Sequence, residues 1–373
     1  MPEPFKNLIN RATVQTMGSH LQRAWPGFER RRFEALAGRG LDALEMKARA
    51  RQICAALEAT LPGDFAAAVD VLQTALAPVP APGANADPQQ GLAGWALWAV
   101  GEFVARRGLD EPERALDFLH AMTQRFSAEF AIRPFIARHP ALTFATLQRW
   151  AADPSSEVRR LVSEGSRPRL PWGMRLHALV ADPSPTLPLL LALQDDPSET
   201  VRRSVANHLN DIAKDHPERV AQWIETHAVG ASAERLALLR HASRGLIKRG
   251  HERTLHAWGV GRPFRGDATF TVTPKKARVG EHLTLTVTLH SRARTSQALA
   301  IDYAWFRLLA NGERAPKVFK GWKVELGAGE QRTLSKRHSL RPVTTRVDRP
   351  GRHHIELRIN GRAWGEAEFV LSA

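Results

Sequence analysis

The sequence is poor in cysteine: Cys54 is the only one in 373 residues. A single thiol excludes an intramolecular disulfide and any cysteine-based zinc or iron–sulfur site, and it suits a reducing compartment. Long apolar runs are also missing. No span of 18 apolar residues occurs, and the opening MPEPFKNLIN lacks the apolar stretch of a secretory signal, so a cytoplasmic protein with no membrane partner is expected. HExxH, Walker, GxGxxG and nucleophile-elbow motifs are absent. Neither a metal nor any other cofactor is therefore expected, and nucleotide binding and serine hydrolysis find little support.

What the chain has in excess is positive charge. The formal net charge is +15 and the pI about 10.9, with 43 Arg against 10 Lys. Such a balance points to a polyanion, nucleic acid ahead of an anionic membrane surface. Arginine's planar fork suits phosphate and stacks on rings. Arginine-rich codon usage would also give the ratio, but it leaves the net charge unexplained.

Residues 5–76 carry apolar side chains at helical spacing (Phe33, Leu36, Leu41, Leu44, Ile53, Leu57, Leu61), with breaks at Pro26, Gly38, Gly40 and Pro62. Cys54 falls within this pattern and reads as a buried small side chain. Residues 77–91, APVPAPGANADPQQG, are too rich in Pro, Ala and Gly for a regular element and predict a flexible loop. Helical periodicity resumes at Leu92. DPSSEVRR begins at Asp153 and DPSETVRR at Asp196, 43 residues later. That period suits a HEAT or armadillo solenoid, with each Asp capping a helix and each Pro in its first turn. Val201, Val205, Leu209 and Ile212 predict a buried stripe, and Arg203, Asn207 and Asp211 an adjacent polar one. Past Arg265 the period becomes two, in FTVTP, HLTLTVTLH, ALAIDYAWFRLL, HHIELRI and AEFVLS, with turns at Asn311-Gly312 and Asn360-Gly361. The chain is thus expected to be multidomain: an all-α HEAT-like solenoid over residues 1–265, then an all-β immunoglobulin-like sandwich over 266–373. Residues 267–373 hold 19 Lys+Arg against 10 Asp+Glu, which makes this smaller part the more basic per residue.

Between the two halves of the repeat lies VRRLVSEGSRPRLPW, Val158–Trp172, with four arginines, Glu164 and Trp172. Together with RFSAEFAIRPFI (Arg125–Ile136) and DDPSETVRRSVANHLNDIAKDHP (Asp195–Pro217), it resembles the signature segments of the bacterial AlkC-type DNA-3-methyladenine glycosylases, of the HEAT-like alkylpurine DNA glycosylase family. IDY (Ile301–Tyr303), PKVFK (Pro316–Lys320), TTR (Thr344–Arg346) and ING (Ile359–Gly361) resemble that family's immunoglobulin-like domain. The resemblance spans nearly the whole chain. It implies hydrolysis of the N-glycosidic bond of cationic bases, 3-methyladenine and 3-methylcytosine, in double-stranded DNA by a monomer.

By their place in those segments, Glu129, Asp211 and Trp172 are the expected catalytic residues. The carboxylates would stabilise a cationic sugar and position water, and the indole would hold the base. Arg159, Arg160, Arg167, Arg169, Arg203 and Lys214 are the expected DNA contacts, with Arg160 and Arg203 also candidates for orienting the carboxylates. Lys214 is the closest lysine in sequence, and the scarcity of lysines there predicts a monofunctional enzyme without a Schiff-base step. Bland readings stand beside each assignment. Glu129, four residues from both Arg125 and Arg133, fits a helix-surface ion pair. Asp211 fits a ladder tying repeats together, Trp172 a core anchor after Pro171, and Glu164 a partner for Arg160. A non-catalytic DNA-binding protein on the same scaffold is the rival function, and a protein–protein scaffold a weaker third.

Overall fold

The computed structural model describes residues 4–81, 83–260, 262–308, 312–342 and 348–373. The chain folds as two units, Met1–Asp215 and His216–Ala373. The first is helical: α1 (Arg11–Ala24), α2 (Arg30–Gly38), α3 (Met46–Thr60), α4 (Phe65–Ala75), α5 (Ala96–Arg107), α6 (Pro112–Thr123), α7 (Arg133–Arg138), α8 (Pro140–Trp150), α9 (Ser156–Gly165), α10 (His177–Ala181), α11 (Leu187–Leu193) and α12 (Glu199–Ile212). Successive layers pack α2 on α3, α3 on α5, α4 on α6, α6 on α9 and α9 on α12, the stacking expected of helix-pair repeats.

Helix ends fall where the sequence breaks its period. α1 stops before Pro26, α2 at Gly38 and α3 before Pro62. Phe33, Leu41, Ile53, Cys54 and Leu57 are fully buried, whereas Leu36 is 40% exposed and belongs to the outer face of α2. Burial pushes the Cys54 thiol up to about 11, against the influence of nearby Arg106, so this thiol stays protonated. Residues 77–91 contain no helix or strand among those described, and a single bridge joins Leu76 to Leu92.

The 43-residue repeat holds at the level of single hydrogen bonds. In both copies the Asp side chain accepts from the serine amide two residues on, at 2.8 Å (Asp153 from Ser155, Asp196 from Ser198). Each Asp therefore makes a turn ahead of the helix, and the N-caps are Ser155 and Ser198, which corrects the expectation that Asp caps and Pro sits in the first helical turn. Arg159 and Arg202 each donate to the Asp and Pro carbonyls of their own copy. Between repeats, Asp153 pairs with His120 of α6 at 2.7 Å, and Asp196 receives two bonds from Arg159 of α9, at 2.6 and 3.0 Å. The predicted stripe Val201, Val205, Leu209 and Ile212 is buried.

The second unit begins with α13 (Pro217–Ala228), α14 (Ala233–Ala242), α15 (Arg244–Arg249) and α16 (Glu252–Ala257) and continues as a sandwich. Its strands are β1 (Gly266–Thr273), β2 (Lys276–Arg278), β3 (His282–Ser291), β4 (Gln297–Leu308), β5 (Arg314–Leu326), β6 (Gln331–Ser339), β7 (Gly351–Ile359) and β8 (Arg362–Ser372). They form sheets ordered β1-β3-β6 and β2-β8-β7-β4-β5. Alternate residues of β3 and β7 (Leu283, Leu285, Val287, Leu289; Ile355, Leu357, Ile359) are buried, with Trp305 and Phe369 filling the core. Asn360 and Gly361 form the two-residue β7–β8 turn, with φ of 50° and 79°, as an Asn-Gly hairpin requires. Asn311 and the TTR segment Thr344–Arg346 lie outside the described residues. β2, β5 and β6 were not among the strands expected: β2 is three residues long, β5 has Lys317, Lys320 and Lys323 at exposed positions, and β6 has Arg332 and Lys336 on the same face as Leu334.

Candidate functional site

The site in the first unit is built around Arg133, at the start of α7, whose side chain is wholly buried. Its Nε donates to the Met174 carbonyl at 2.6 Å and its Nη1 to the Gly165 carbonyl at 2.8 Å. Burial pulls its pKa down to about 10; Arg167 lowers it further, while Asp211, Glu129 and Glu164 act in the opposite sense. The three carboxylates thus share one electrostatic neighbourhood with two buried guanidinium groups.

Glu129 lies in a run of turns between α6 and α7, held by the buried Ala128 and Ile132. The helix-surface pair with Arg125 and Arg133 is therefore not formed, because the chain there is not helical. Glu129 Oε2 instead accepts from Ser127 Oγ at 2.8 Å and from Arg160 Nη2 at 2.9 Å, and Arg160 Nη1 donates to Ser127 Oγ at 2.9 Å. Oε1 receives no hydrogen bond from the described residues. Arg160 thereby belongs to Glu129, and the expected Arg160–Glu164 pair is replaced. Glu164 turns inward, accepting from Arg167 Nη1 and from Ser204 Oγ, both at 2.6 Å.

Asp211 is buried, with Oδ2 accepting from Arg167 Nε and Oδ1 from Lys214 Nζ, each at 2.8 Å. Arg167 is buried as well. Burial disfavours its charge, yet Glu164 and Asp211 together hold its pKa above the usual guanidinium range. Beneath this pair His208 is fully buried, with Nδ1 2.9 Å from the Ser163 carbonyl, and burial pulls it down to about 4, so it is neutral.

Trp172 is where the chain breaks its own rules. Gly173 N donates to the Leu170 carbonyl at 3.2 Å, closing a four-residue turn with Pro171 second and Trp172 third. Trp172 has φ 64°, a left-handed conformation that a type II turn ordinarily gives to glycine. At Gly173 a Cβ would meet the Leu170 side chain at 3.0 Å and Arg133 Nε at 3.2 Å, so a side chain there would press on both neighbours. The indole is 62% exposed, which excludes the core-anchor reading, and it stacks on Trp98 of α5 with ring centroids 6.4 Å apart and planes 17° apart. Trp98 in turn stacks on Phe130 at 5.1 Å. A cleft of about 350 Å³ opens here, lined by Trp98, Phe126, Ser127, Phe130, Trp172 and Met174 among others.

The arginines expected to meet DNA separate by burial. Arg159 and Arg167 point inward, engaged with Asp196 and with Glu164 and Asp211. Arg169 holds Asp215 through two bonds of 2.7 Å with its side chain a quarter exposed, whereas Arg203 is mostly exposed beside Glu199 and Lys214 is half exposed. The sequence pointed to neither Arg133 nor Trp98; both sit in patterns that read as ordinary helix. No group of three or more His, Cys, Asp or Glu among the described residues is placed to hold a metal ion. No helix there is long and apolar enough to cross a membrane.

Residues 111–246 match a family described as DNA alkylation repair enzyme, and residues 267–373 match the C-terminal Ig-like domain of the uncharacterised protein YhaZ. Uncharacterized protein YhaZ of Bacillus subtilis (strain 168) is 33% identical, covering 98% of this chain and 99% of its own. The solved structure of the Pseudomonas fluorescens alkylpurine DNA glycosylase AlkC, bound to DNA containing an abasic site analog, is similar over 100% of both chains at 36% identity, with a TM-score of 0.89.

Proposed function

Because the chain belongs to the AlkC family of alkylpurine DNA glycosylases, we propose that it is a monofunctional glycosylase that releases 3-methyladenine and 3-methylcytosine from duplex DNA. One observation carries the site assignment: an exposed tryptophan held in a left-handed turn shares a buried arginine's surroundings with Glu129, whose Oε1 has no hydrogen-bond partner among the described residues. Strain of that kind at a surface aromatic is kept for a task.

An N3-methylated base carries a positive charge and leaves as a neutral heterocycle, so its departure needs no strong general acid. The bond between C1′ and the base nitrogen breaks with its electron pair going to the base, and the sugar is left cationic. In this reading Glu129 faces that charge, and its second oxygen orients a water and takes its proton as the water adds to C1′. Ser127 and Arg160 fix the carboxylate from the other side. Asp211, bonded to Arg167 and Lys214, adds to the negative field, and Trp172 holds the cationic base by stacking and cation–π attraction. Arg160, Arg169, Arg203 and Lys214 are the proposed phosphate contacts, and the domains would divide near residue 265.

The test is base release from methylated duplex DNA by the wild-type protein and by Glu129→Gln, Asp211→Asn and Trp172→Ala. Release by the wild type with losses of at least tenfold in each variant is expected. Salt-sensitive DNA binding without release would instead establish the non-catalytic reading.

A further inference from the structure

Helices α1 to α5 precede the stretch matched to the repair family, yet two of them reach the site, α5 through Trp98 and α3 through Lys47. Lys47, in the first turn of α3, donates from Nζ to the carbonyl of Trp172 at 2.5 Å, across 125 residues of chain. Other bonds fix the neighbours of Trp172: Gly173 N to Leu170, and Arg133 to the Met174 carbonyl. Lys47 is the side chain that grips the main chain of Trp172 itself among the described residues.

A tryptophan with φ 64° relaxes toward negative φ unless something opposes it, and that relaxation turns the indole away from Trp98. We propose that Lys47 is a positioning residue: its ammonium pins the strained turn so that the Trp172 indole stays stacked on Trp98 and presented to the base. The inference rests on the role given to Trp172 above. It makes the amino-terminal helices part of the reaction site, beyond any role as a cap on the solenoid. Arg51, one turn along α3, lines the same cleft as Lys47.

The experiment compares wild type, Lys47→Met and Lys47→Arg in three measurements. These are single-turnover base release, affinity for DNA carrying an abasic-site analogue, and the far-ultraviolet circular-dichroism signal of the Trp98–Trp172 pair, defined by subtracting the Trp172→Phe spectrum. Lys47→Met is expected to lose the paired-indole signal and slow release about tenfold, equivalent to about 1.4 kcal/mol, with affinity changed less than twofold. Lys47→Arg should restore both, and Lys47→Met should add nothing to Trp172→Ala. An intact signal in Lys47→Met overturns the proposal, and so does an equal loss in affinity, the mark of a simple phosphate contact. If Trp172→Ala releases base at the wild-type rate, the site assignment fails, while the paired-indole signal still decides whether Lys47 holds the turn.

Discussion

Replacing Trp172 by alanine and by glycine separates the strain at this position from the contacts its side chain makes. Both substitutions remove the same indole. A little over a third of its surface is covered, on the order of 80 Å² of a large aromatic, so burial contributes about 2 kcal/mol at roughly 25 cal/mol per Å². The stack on Trp98 adds about 1 kcal/mol. These losses cancel in the comparison, leaving the backbone. Alanine at φ 64° carries a left-handed cost of about 1–2 kcal/mol that glycine avoids. Against it, glycine loses about 0.4–1 kcal/mol more chain entropy on folding. Trp172→Gly should therefore be the more stable of the two by about 0.5–1 kcal/mol, or about 1–4 °C in the melting of a unit this size, reversing the order found at ordinary positions. Both should lose base release alike. Urea and thermal unfolding of the pair decide it: an alanine variant as stable as the glycine variant would refute the claim that Trp172 is held under strain.

Other outcomes follow from the burial of the charged groups. Arg133→Met should destabilise by about 3 kcal/mol or more in urea unfolding, because it strands the Gly165 and Met174 carbonyls and unbalances the buried carboxylates; Arg133→Lys, lacking the fork, should not recover it. Arg167→Met should likewise lower stability by several kcal/mol, on the order of a broken buried pair. Arg203→Met should leave the melting temperature unchanged while reducing the salt slope of DNA binding by about 1. His208 is depressed to about 4 in the folded protein, so the unfolded chain takes up a proton first as pH falls below about 6.5. Stability should then decline from pH 6.5 toward 4, by up to about 1.4 kcal/mol per pH unit from this group, and stay level above that range. His208→Gln should flatten the decline in pH-dependent denaturation.

The two halves of the fold were legible because hydrophobic periodicity reports which face of an element is buried, and it changes from helical to alternating after Arg265. The stripe Val201 to Ile212 and the strands β3, β4 and β7 follow that pattern. β5 and β6 escaped because β5 carries lysines at outward positions and β6 carries Arg332 and Lys336 on the face that also holds Leu334, so neither shows a clean alternation of apolar and polar residues. Leu36 shows the converse, an apolar residue in phase with its neighbours but left on the surface.

By itself the sequence determined the 43-residue repeat, the basic character, the Asn-Gly hairpin and the family, all of which are properties of local order or composition. It also brought Glu129, Asp211 and Trp172 forward as candidates. Only the tertiary structure decided which arginine serves which carboxylate: Arg160 holds Glu129, while Arg167 holds Glu164 and Asp211. It alone disclosed that Trp172 stands in a left-handed turn gripped by Lys47 and by Arg133 through the adjoining Met174 carbonyl. The reason is physical: apart from the local Arg167–Glu164 pair, these ion pairs and backbone clamps join residues tens to more than a hundred positions apart, and no pattern in the chain encodes them until packing has brought them together.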